Sequence, residues 1–291
     1  MTTLLGRLRR PCVVLAGLVL ATSGVTGTGS PAAAASTSLT LTSGRTYLLH
    51  PGVRASSATP QPLVIVLHPL GGSAAYFATT SGWSGFADNH GGFTVAYGQA
   101  LKAPGTTYSG THPTAWNSGG CCQYQNADDV TYINEVLADV KNRVAVDAAR
   151  VYITGFSNGG MMAARMECEE PGVFAAAGIT GSVIDPLRKD QTIPEYSCLT
   201  PVRLRHLHGI NDGTVPTAGS TYGSKWRPGK FPPAATEVPG SPNAVTAPTS
   251  VVSQKLDLPC GHVYPTSANA CGYAATADFW NFFLQYSEPQ G

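Results

Sequence analysis

One stretch, residues 150–165, constrains the fold more than any other part of the chain; it reads RVYITGFSNGGMMAAR. Its first part, VYIT, is β-branched and aromatic, as a buried strand prefers. A G-x-S-x-G pentapeptide centred on Ser157 follows, and then MMAAR, which is rich in helix formers. A strand, a glycine-flanked turn and a helix in this order predict that Ser157 lies on a nucleophile elbow. The alternative is an ordinary Ser/Gly turn between a strand and a helix.

The first 35 residues are typical of an export signal rather than of a folded segment. A basic region with three arginines precedes an apolar run at residues 13–20, and AAA at residues 33–35 provides an A-x-A cleavage site. The apolar run is too short to span a bilayer, so no membrane anchor is expected. Arg9-Arg10 leaves a twin-arginine signal open. We expect a signal peptide over 1–35, one mature domain over 36–291, and a secreted, extracellular protein.

Composition excludes several classes of function. The chain is 43% hydrophobic and 12% charged, which is typical of a globular protein. It carries 18 basic and 17 acidic residues. Losing the three arginines of the leader leaves a net charge of about −2, with no basic footprint for nucleic acid or for an anionic membrane.

Cysteine usage indicates disulfides. Six cysteines follow the leader: Cys121, Cys122, Cys168, Cys198, Cys260 and Cys271. An even count in an exported protein predicts three bridges, and their spacing does not decide among fifteen pairings. The pairing that we favour joins Cys168 to Cys198 and Cys260 to Cys271. The adjacent residues Cys121 and Cys122 then form the third bridge. A zinc site is the alternative, but the chain lacks a C-x-x-C pair with a nearby H-x₃₋₅-H, so no metal is expected.

Hydrophobic patterns predict an α/β domain with a mostly parallel central sheet flanked by helices. Strands are predicted in a hairpin over 36–50 and at 63–67, 93–97, 151–154, 173–181, 201–208 and 251–258, and helices at 75–89, 127–144 and 273–286. The run at 63–67 is continuously apolar, as in a strand that is covered on both faces. Two irregular stretches, 99–125 and 217–250, are predicted to be loops, the second passing over the site.

Three candidate catalytic residues occur along the chain in the order Ser157, Asp212 and His262, and each follows a predicted strand. This is the order of the α/β-hydrolases, in which His is the general base and Asp orients it. Asp212 could instead belong to a D-G turn. Asp128 and Asp129 are better explained as groups that cap a helix.

The loop HPLGGS after the 63–67 strand is where α/β-hydrolases place an oxyanion donor. Pro69 has no N–H, which narrows the choice to Leu70 or Gly71. We predict that the N–H groups of Leu70 and Asn158 form the oxyanion hole. A plain glycine-rich turn is the alternative.

Longer motifs carry a family resemblance. They are LVIVLHPLGG, TAWNSGGCC, RVYITGFSNGGMMAARMECEEPGVFAA, HGINDGTVP, CGHVYP and FWNFF. Together, over most of residues 63–283, they resemble the secreted polyhydroxybutyrate depolymerase and feruloyl esterase family of α/β-hydrolases. The resemblance implies an α/β-hydrolase fold with Ser157, Asp212 and His262 as the catalytic triad. It also implies a serine ester hydrolase that acts on short-chain polyhydroxyalkanoates or, alternatively, on feruloyl and acetyl groups of plant polysaccharide.

The chain departs from the family pattern near the site. His68-Pro69 replaces the usual His-Gly, and Tyr264 replaces a usual Trp. We predict Trp116 and Tyr264 as substrate contacts, although Trp116 could equally pack beneath its own loop. A non-catalytic binding protein on the same fold is the less favoured hypothesis, because all three triad residues are present. No cofactor is expected, since a triad transfers acyl groups unaided. The expected partner is the ester substrate, and the protein is expected to be a monomer.

Overall fold

The computed structural model describes residues 35–53, 55, 59–102, 114–119, 127–183, 202–217, 220–224, 227–231 and 252–288. All of them belong to the unit Ala32–Gly291. The predicted signal peptide, apart from its last residue, lies outside the described residues, and so do Cys121, Cys122 and Cys198. The boundary between leader and mature domain therefore stays a prediction.

The predicted central sheet is present and has eight strands, in the order β1-β2-β4-β3-β7-β8-β9-β12. The strands of the described residues are β1 Thr37–Thr40, β2 Thr46–His50, β3 Gln61–Leu67, β4 Thr94–Gly98, β5 Leu101–Lys102, β6 Thr114–Ala115, β7 Val146–Phe156, β8 Ala176–Thr180, β9 Arg203–Gly209, β10 Ser220–Ser224, β11 Arg227–Phe231 and β12 Val252–Leu258. β1 and β2 form the predicted antiparallel hairpin, whereas all neighbours from β4 to β12 run parallel. The fold is the α/β-hydrolase fold.

Five helices accompany the sheet in the described residues: α1 Ala74–Thr80, α2 Trp83–Asn89, α3 Asp129–Arg143, α4 Asn158–Glu169 and α5 Ala275–Phe283. The prediction of one continuous helix over 75–89 is wrong. The first helix ends at Thr80 with Ser81 as its C-cap, and Gly82 adopts a φ of 76°, a left-handed conformation that a helix interior does not contain. The predicted helices over 127–144 and 273–286 are confirmed, with ends shifted by one to three residues.

The hydrophobic core has two layers, one on each face of the sheet, and β3 contributes to both. Leu63, Ile65 and Leu67 pack in the layer that contains residues of α3 and α4. Val64 and Val66 pack in the layer that contains residues of α1, α2 and α5. Successive side chains of a strand point to opposite faces, so a run without polar residues requires cover on both. This explains why the sequence of β3 is continuously apolar.

The two aspartates at the start of α3, both predicted to cap the helix, have different roles in the structure. Asp128 is the N-cap, and its carboxylate accepts the N–H of Thr131. Asp129 is buried instead: one carboxylate oxygen lies 2.7 Å from Arg45 and the other accepts the N–H of Asn117 at 2.7 Å. Asp129 therefore ties the helix to the β1–β2 hairpin and to the segment 116–118.

The two irregular stretches contain short hairpins. β5 pairs with β6 within 99–125, and β10 pairs with β11 within 217–250. Residues 103–113, 120–126 and 232–250 lie outside the described part. A covering role for the second stretch stays a prediction.

Parallel pairing brings the carboxyl ends of several strands to one edge of the sheet. Phe156 at the end of β7 pairs with Thr180 of β8, which pairs with Leu207 of β9. Gly209 at the end of β9 pairs with Leu258 at the end of β12. The segments that follow β7, β9 and β12 therefore leave the sheet at the same edge, where open α/β sheets bind ligands.

Candidate active site

Ser157 lies on a sharp turn between β7 and α4. Its φ is 55° and its ψ is −124°, and it is the only non-glycine residue with a positive φ in the described part of the chain. Such a conformation costs about 1–3 kcal/mol and persists only where neighbouring contacts hold it. The Ser157 N–H donates to the carbonyl of Thr180 at 2.9 Å, which anchors the turn to β8.

The glycines of the pentapeptide are required by close backbone contact. A Cβ on Gly155 would lie 2.3 Å from the backbone of Gly159, and a Cβ on Gly159 would lie 2.3 Å from the Leu67 carbonyl oxygen. Neither contact can be relieved by rotating a side chain. The pattern G-x-S-x-G therefore records how closely β3, β7 and α4 approach one another.

The structure brings together the three residues predicted from the chain order. His262 Nε2 lies 2.9 Å from Ser157 Oγ, and His262 Nδ1 lies 2.7 Å from Asp212 Oδ2. The other carboxylate oxygen of Asp212 accepts the N–H groups of Thr214 at 2.8 Å and Val215 at 2.7 Å. The result is a continuous hydrogen-bonded chain from hydroxyl to imidazole to carboxylate.

Asp212 is held in its ionised form although its side chain is buried. Burial alone would raise its pKa, but hydrogen bonds from His208 and His262, the charge of His262 and the N–H of Val215 together lower that pKa below the ordinary value. An ionised Asp212 accepts a hydrogen bond from His262 Nδ1–H. His262 Nε2 is then the nitrogen that is free of a proton and faces Ser157.

Two further histidines lie beneath the acid loop. His208 Nε2 is 2.7 Å from the Val215 carbonyl oxygen and 3.5 Å from Asp212 Oδ2, and its Nδ1 is 2.9 Å from His206 Nε2. Both side chains are fully buried. Val215 thus contacts Asp212 through its N–H and His208 through its carbonyl, so His208 supports the loop that presents the carboxylate.

In the loop after β3, the two candidate oxyanion donors, the N–H groups of Leu70 and Gly71, differ in their hydrogen bonds. The Gly71 N–H donates to the Thr114 carbonyl at 2.8 Å. The Leu70 N–H makes no hydrogen bond to any residue that the structure describes. The other predicted donor, Asn158, is the first residue of α4, where backbone N–H groups and the helix dipole favour an anion. The assignment of Leu70 and Asn158 to an oxyanion hole stays a prediction.

The two rings that were predicted to contact the substrate are buried in the structure. Trp116 is 0% exposed, stacks on Tyr132, and donates from its indole nitrogen to the His68 carbonyl at 2.9 Å. Tyr264 is 8% exposed, and its hydroxyl lies 2.9 Å from Thr276 Oγ1. Trp116 therefore has no exposed surface, and Tyr264 has very little. The alternative, that Trp116 packs beneath its own segment, is the one that the structure supports.

Two supporting side chains were not found by sequence reasoning. The Phe156 ring lies 4.8 Å from the His262 ring, centroid to centroid, and so packs beside the imidazole. The Asn158 side chain accepts the Trp116 N–H at 2.8 Å and donates to the Trp116 carbonyl and to Ser118. Both occupy the variable positions of G-x-S-x-G, and the pattern gives no signal for them.

One predicted disulfide is present between described residues, Cys260–Cys271, with a Cα–Cα distance of 4.9 Å. It closes the segment that carries His262. Cys168 is also disulfide-bonded. The predicted partner Cys198 and the pair Cys121 and Cys122 lie outside the described residues, so those pairings stay predictions.

Within the described ranges, no three His, Cys, Asp or Glu side chains are grouped as a metal ion would require. Among the same residues, no helix has the length and apolar character needed to cross a membrane.

Comparison with known proteins agrees with the fold and with the family resemblance. Residues 45–189 match the family model described as Esterase PHB depolymerase. The resemblance to this esterase family is confirmed. The matched residues include the loop after β3, the elbow and Ser157, whereas Asp212 and His262 follow them.

Individual relatives extend the comparison. Feruloyl esterase B of Piromyces equi is 34% identical over 40% of the chain, and poly(3-hydroxyalkanoate) depolymerase C of Paucimonas lemoignei is 30% identical over 48%. The chain covers only 20% and 32% of those two proteins. The acetyl xylan esterase of Aspergillus awamori has the same fold, with a TM-score of 0.56 and 15% identity over 86% of this chain and 99% of that one.

Proposed function

We propose that the chain is a secreted serine hydrolase of carboxylic esters, with Ser157 as nucleophile, His262 as general base and Asp212 as the residue that orients the base. The observation that carries this proposal is the hydrogen-bonded chain from Ser157 Oγ through His262 to Asp212, at distances of 2.9 and 2.7 Å. Its place at the carboxyl edge of the sheet, on a strained elbow, is the context in which such a serine attacks acyl groups.

The reaction proceeds by acyl transfer. His262 Nε2 accepts the proton of Ser157 as its oxygen attacks the ester carbonyl, and then gives that proton to the departing alcohol. The N–H groups of Leu70 and Asn158 stabilise the negative oxygen of the tetrahedral intermediate, each by ~3–4 kcal/mol. A water molecule, deprotonated by His262, then cleaves the ester bond between Ser157 and the acyl group.

Asp212 acts on the histidine and not on the substrate. It keeps the proton of the resting imidazole on Nδ1 and stabilises the imidazolium that forms during attack. Because its pKa is lowered, the carboxylate stays ionised well into the acidic range. Two backbone N–H groups fix its second oxygen, so the carboxylate holds one orientation.

The substrate that we favour is a polyester of the polyhydroxybutyrate type. Two apolar side chains within two residues of the triad in sequence are exposed, Ile210 by 57% and Val263 by 39%. Exposed apolar side chains so close in sequence to the triad suit the methyl-bearing repeats of an aliphatic polyester better than the hydroxyl groups of a polysaccharide. The similarity to a poly(3-hydroxyalkanoate) depolymerase supports the same class.

A feruloyl or acetyl ester of plant polysaccharide is the second candidate. It is favoured by the 34% identity to a feruloyl esterase and by similarity to acetylxylan esterases. Secretion is supported by the signal-like pattern of the first 35 residues. Action as a monomer is also part of the proposal, and size-exclusion chromatography tests it.

The first test compares hydrolysis of amorphous polyhydroxybutyrate, methyl ferulate and p-nitrophenyl butyrate by the mature protein and by Ser157→Ala. We expect Ser157→Ala to lose about six orders of magnitude in kcat, because the nucleophile is absent. Ser38→Ala is the matched control, since Ser38 is exposed on β1, far along the chain from the site; it should hydrolyse like wild type. Labelling of the serine by a fluorophosphonate should follow the same pattern.

The outcomes separate the proposals. Clearing of the polymer suspension supports the polyester assignment. Release of ferulate without clearing replaces it with the second candidate and leaves the ester-hydrolase mechanism intact. Hydrolysis that survives in Ser157→Ala, or a wild-type protein that neither hydrolyses an ester nor takes up the probe, overturns the mechanism itself.

A further inference from the structure

His68, the residue directly after β3, uses both nitrogens of its buried ring. Nδ1 lies 2.8 Å from the Pro69 carbonyl oxygen, and Nε2 lies 3.1 Å from the backbone nitrogen of Ala100. A backbone N–H can only donate and a carbonyl can only accept. Nε2 is therefore the acceptor and Nδ1 carries the proton. The bond from Ala100 requires the neutral imidazole, because Nε2 must be free of a proton, and burial favours that form by lowering the pKa of His68 to about 4.

The bond to Pro69 fixes the direction of the next peptide group. The Pro69 carbonyl and the Leu70 N–H belong to one trans peptide plane, in which C=O and N–H point in opposite directions. The same carbonyl also accepts the Gly72 N–H at 2.9 Å. The two donors hold the carbonyl in its direction, so the Leu70 N–H is held pointing in the opposite direction within the same plane.

The backbone of His68 also lies against the elbow. A Cβ on Gly159 would come within 2.4 Å of the His68 carbonyl oxygen, and that oxygen accepts the indole N–H of Trp116 at 2.9 Å. The loop that carries Leu70 thus starts in contact with the first turn of α4, directly after Ser157. A rotation of the Pro69–Leu70 peptide would change where an N–H lies relative to the serine.

We propose that His68 is a positioning residue that aims the Leu70 N–H at the oxyanion of the tetrahedral intermediate, by holding the Pro69 carbonyl in the opposite direction within the same peptide plane. This inference rests on the proposed function. His68 contacts no reacting atom, because its ring is buried and both its nitrogens bind the backbone. Its effect is confined to an interaction that exists only in the transition state, so it changes kcat and leaves KM alone.

Two substitutions of His68 each keep one of these two hydrogen bonds and remove the other. His68→Asn can place an amide N–H near the position of Nδ1 and so keep the bond to Pro69, while it loses the acceptor for Ala100. His68→Gln can place its amide oxygen near Nε2 and keep the bond to Ala100, while it loses the donor to Pro69. A purely structural role predicts similar effects of both, whereas the proposal predicts that only the Asn variant retains activity.

The experiment measures kcat and KM on p-nitrophenyl butyrate, the melting temperature, and inhibition by phenylboronic acid, which forms a tetrahedral anion on the serine. For His68→Gln we expect kcat to fall, and the boronate inhibition constant to rise, by roughly 10- to 100-fold, less than for loss of a whole oxyanion donor. KM should stay within about threefold, and His68→Asn should keep kcat within about threefold of wild type.

A double-mutant cycle tests the route through Leu70. Leu70→Pro removes the N–H itself, so His68→Gln should have little further effect on kcat in its presence. Three outcomes each overturn the inference. The first is an equal loss of kcat in the Gln and Asn variants that parallels their loss in melting temperature. The others are an unchanged kcat in His68→Gln, or full additivity of the two substitutions in a folded Leu70→Pro background. If Ser157→Ala stays inactive in the same assays, such a failure leaves the proposed ester hydrolase standing.

Discussion

The elbow at Ser157 and the loop at Asp212 meet on His262, but they hold their residues by different means. At the elbow, backbone packs on backbone: the glycines at 155 and 159 leave no space for a Cβ, and Ser157 adopts a positive φ. In the acid loop, hydrogen bonds from two N–H groups orient the carboxylate of Asp212, and His208 supports the loop from beneath. A Cβ at Gly213 in that loop would meet nothing within 4 Å.

The difference teaches where each half of the site is sensitive. Steric contact between main chains cannot be relieved by a different side chain, so the elbow tolerates almost no change of residue. Hydrogen bonds depend on the identity of the donor and acceptor atoms, so the acid loop tolerates added volume but not a change in charge or in hydrogen-bonding pattern. Each region should therefore fail under a different kind of substitution.

The largest effect is expected from adding one methyl group at the elbow. Gly159→Ala places a Cβ 2.3 Å from the Leu67 carbonyl oxygen, and β3 or α4 must move. We expect a loss of at least about 3 kcal/mol in the free energy of unfolding, with loss of hydrolysis. Urea unfolding and fluorophosphonate labelling measure the two. Gly213→Ala is the matched control, with no close contact and no positive φ, and it should change stability by less than about 1 kcal/mol. Equal tolerance of both changes would contradict the comparison.

The next effect is expected from a change of charge without a change of shape in the acid loop. In Asp212→Asn the amide can turn its N–H toward His262 Nδ1, which then accepts a hydrogen bond. The imidazole proton consequently moves to Nε2. This is the nitrogen that should accept the proton of Ser157. By analogy with the same change in other triads, kcat should fall by about 10⁴-fold with a melting temperature close to that of wild type. Asp257→Asn, at an exposed carboxylate of β12, is the control and should leave kcat unchanged. An active Asp212→Asn would remove Asp212 from the mechanism.

The smallest effect is expected from removing the covalent link beside His262. The bond Cys260–Cys271 closes a segment with a sequence separation of 11. The double variant Cys260→Ser/Cys271→Ser should lose about 2–4 kcal/mol of stability, because the unfolded chain gains freedom. Since the hydrogen bonds to Asp212 and Ser157 remain, kcat should fall by less than about tenfold once the protein is folded. Calorimetry and steady-state kinetics at 20 °C measure both. A collapse of kcat in the fully folded variant would show that the disulfide, and not the hydrogen bonds, positions His262.

Local sequence was sufficient for the sheet and for the order of the triad. The apolar run of β3, the stripe of α3 and the elbow around Ser157 each depend on residues within one element, so their patterns could be recognised without knowing the neighbours. The order Ser157, Asp212, His262, with each residue after a strand, was enough to predict that they converge, because the ends of parallel strands share one edge.

Contacts between distant segments were not accessible in the same way. Trp116 and Tyr264 were predicted at the substrate, but whether an aromatic ring faces solvent depends on what packs against it, here Tyr132, His68 and the residues around Thr276. The break at Gly82 lies at a Ser-Gly step that the prediction of one helix over 75–89 passed over, and the left-handed φ of Gly82 separates α1 from α2.

The amino-acid sequence by itself determined the α/β sheet, the elbow and the three residues that meet on it, because those features arise from local periodicity and from the chain order of one fold. Tertiary structure alone decided which N–H of the loop after β3 is engaged and which is not. Gly71 finds its acceptor on Thr114, 43 positions further along the chain, and His68 fixes the peptide before Leu70 through a ring that Ala100 holds in place. Such choices depend on atoms that the folded chain brings within hydrogen-bonding distance, and no pattern within a single segment encodes that proximity.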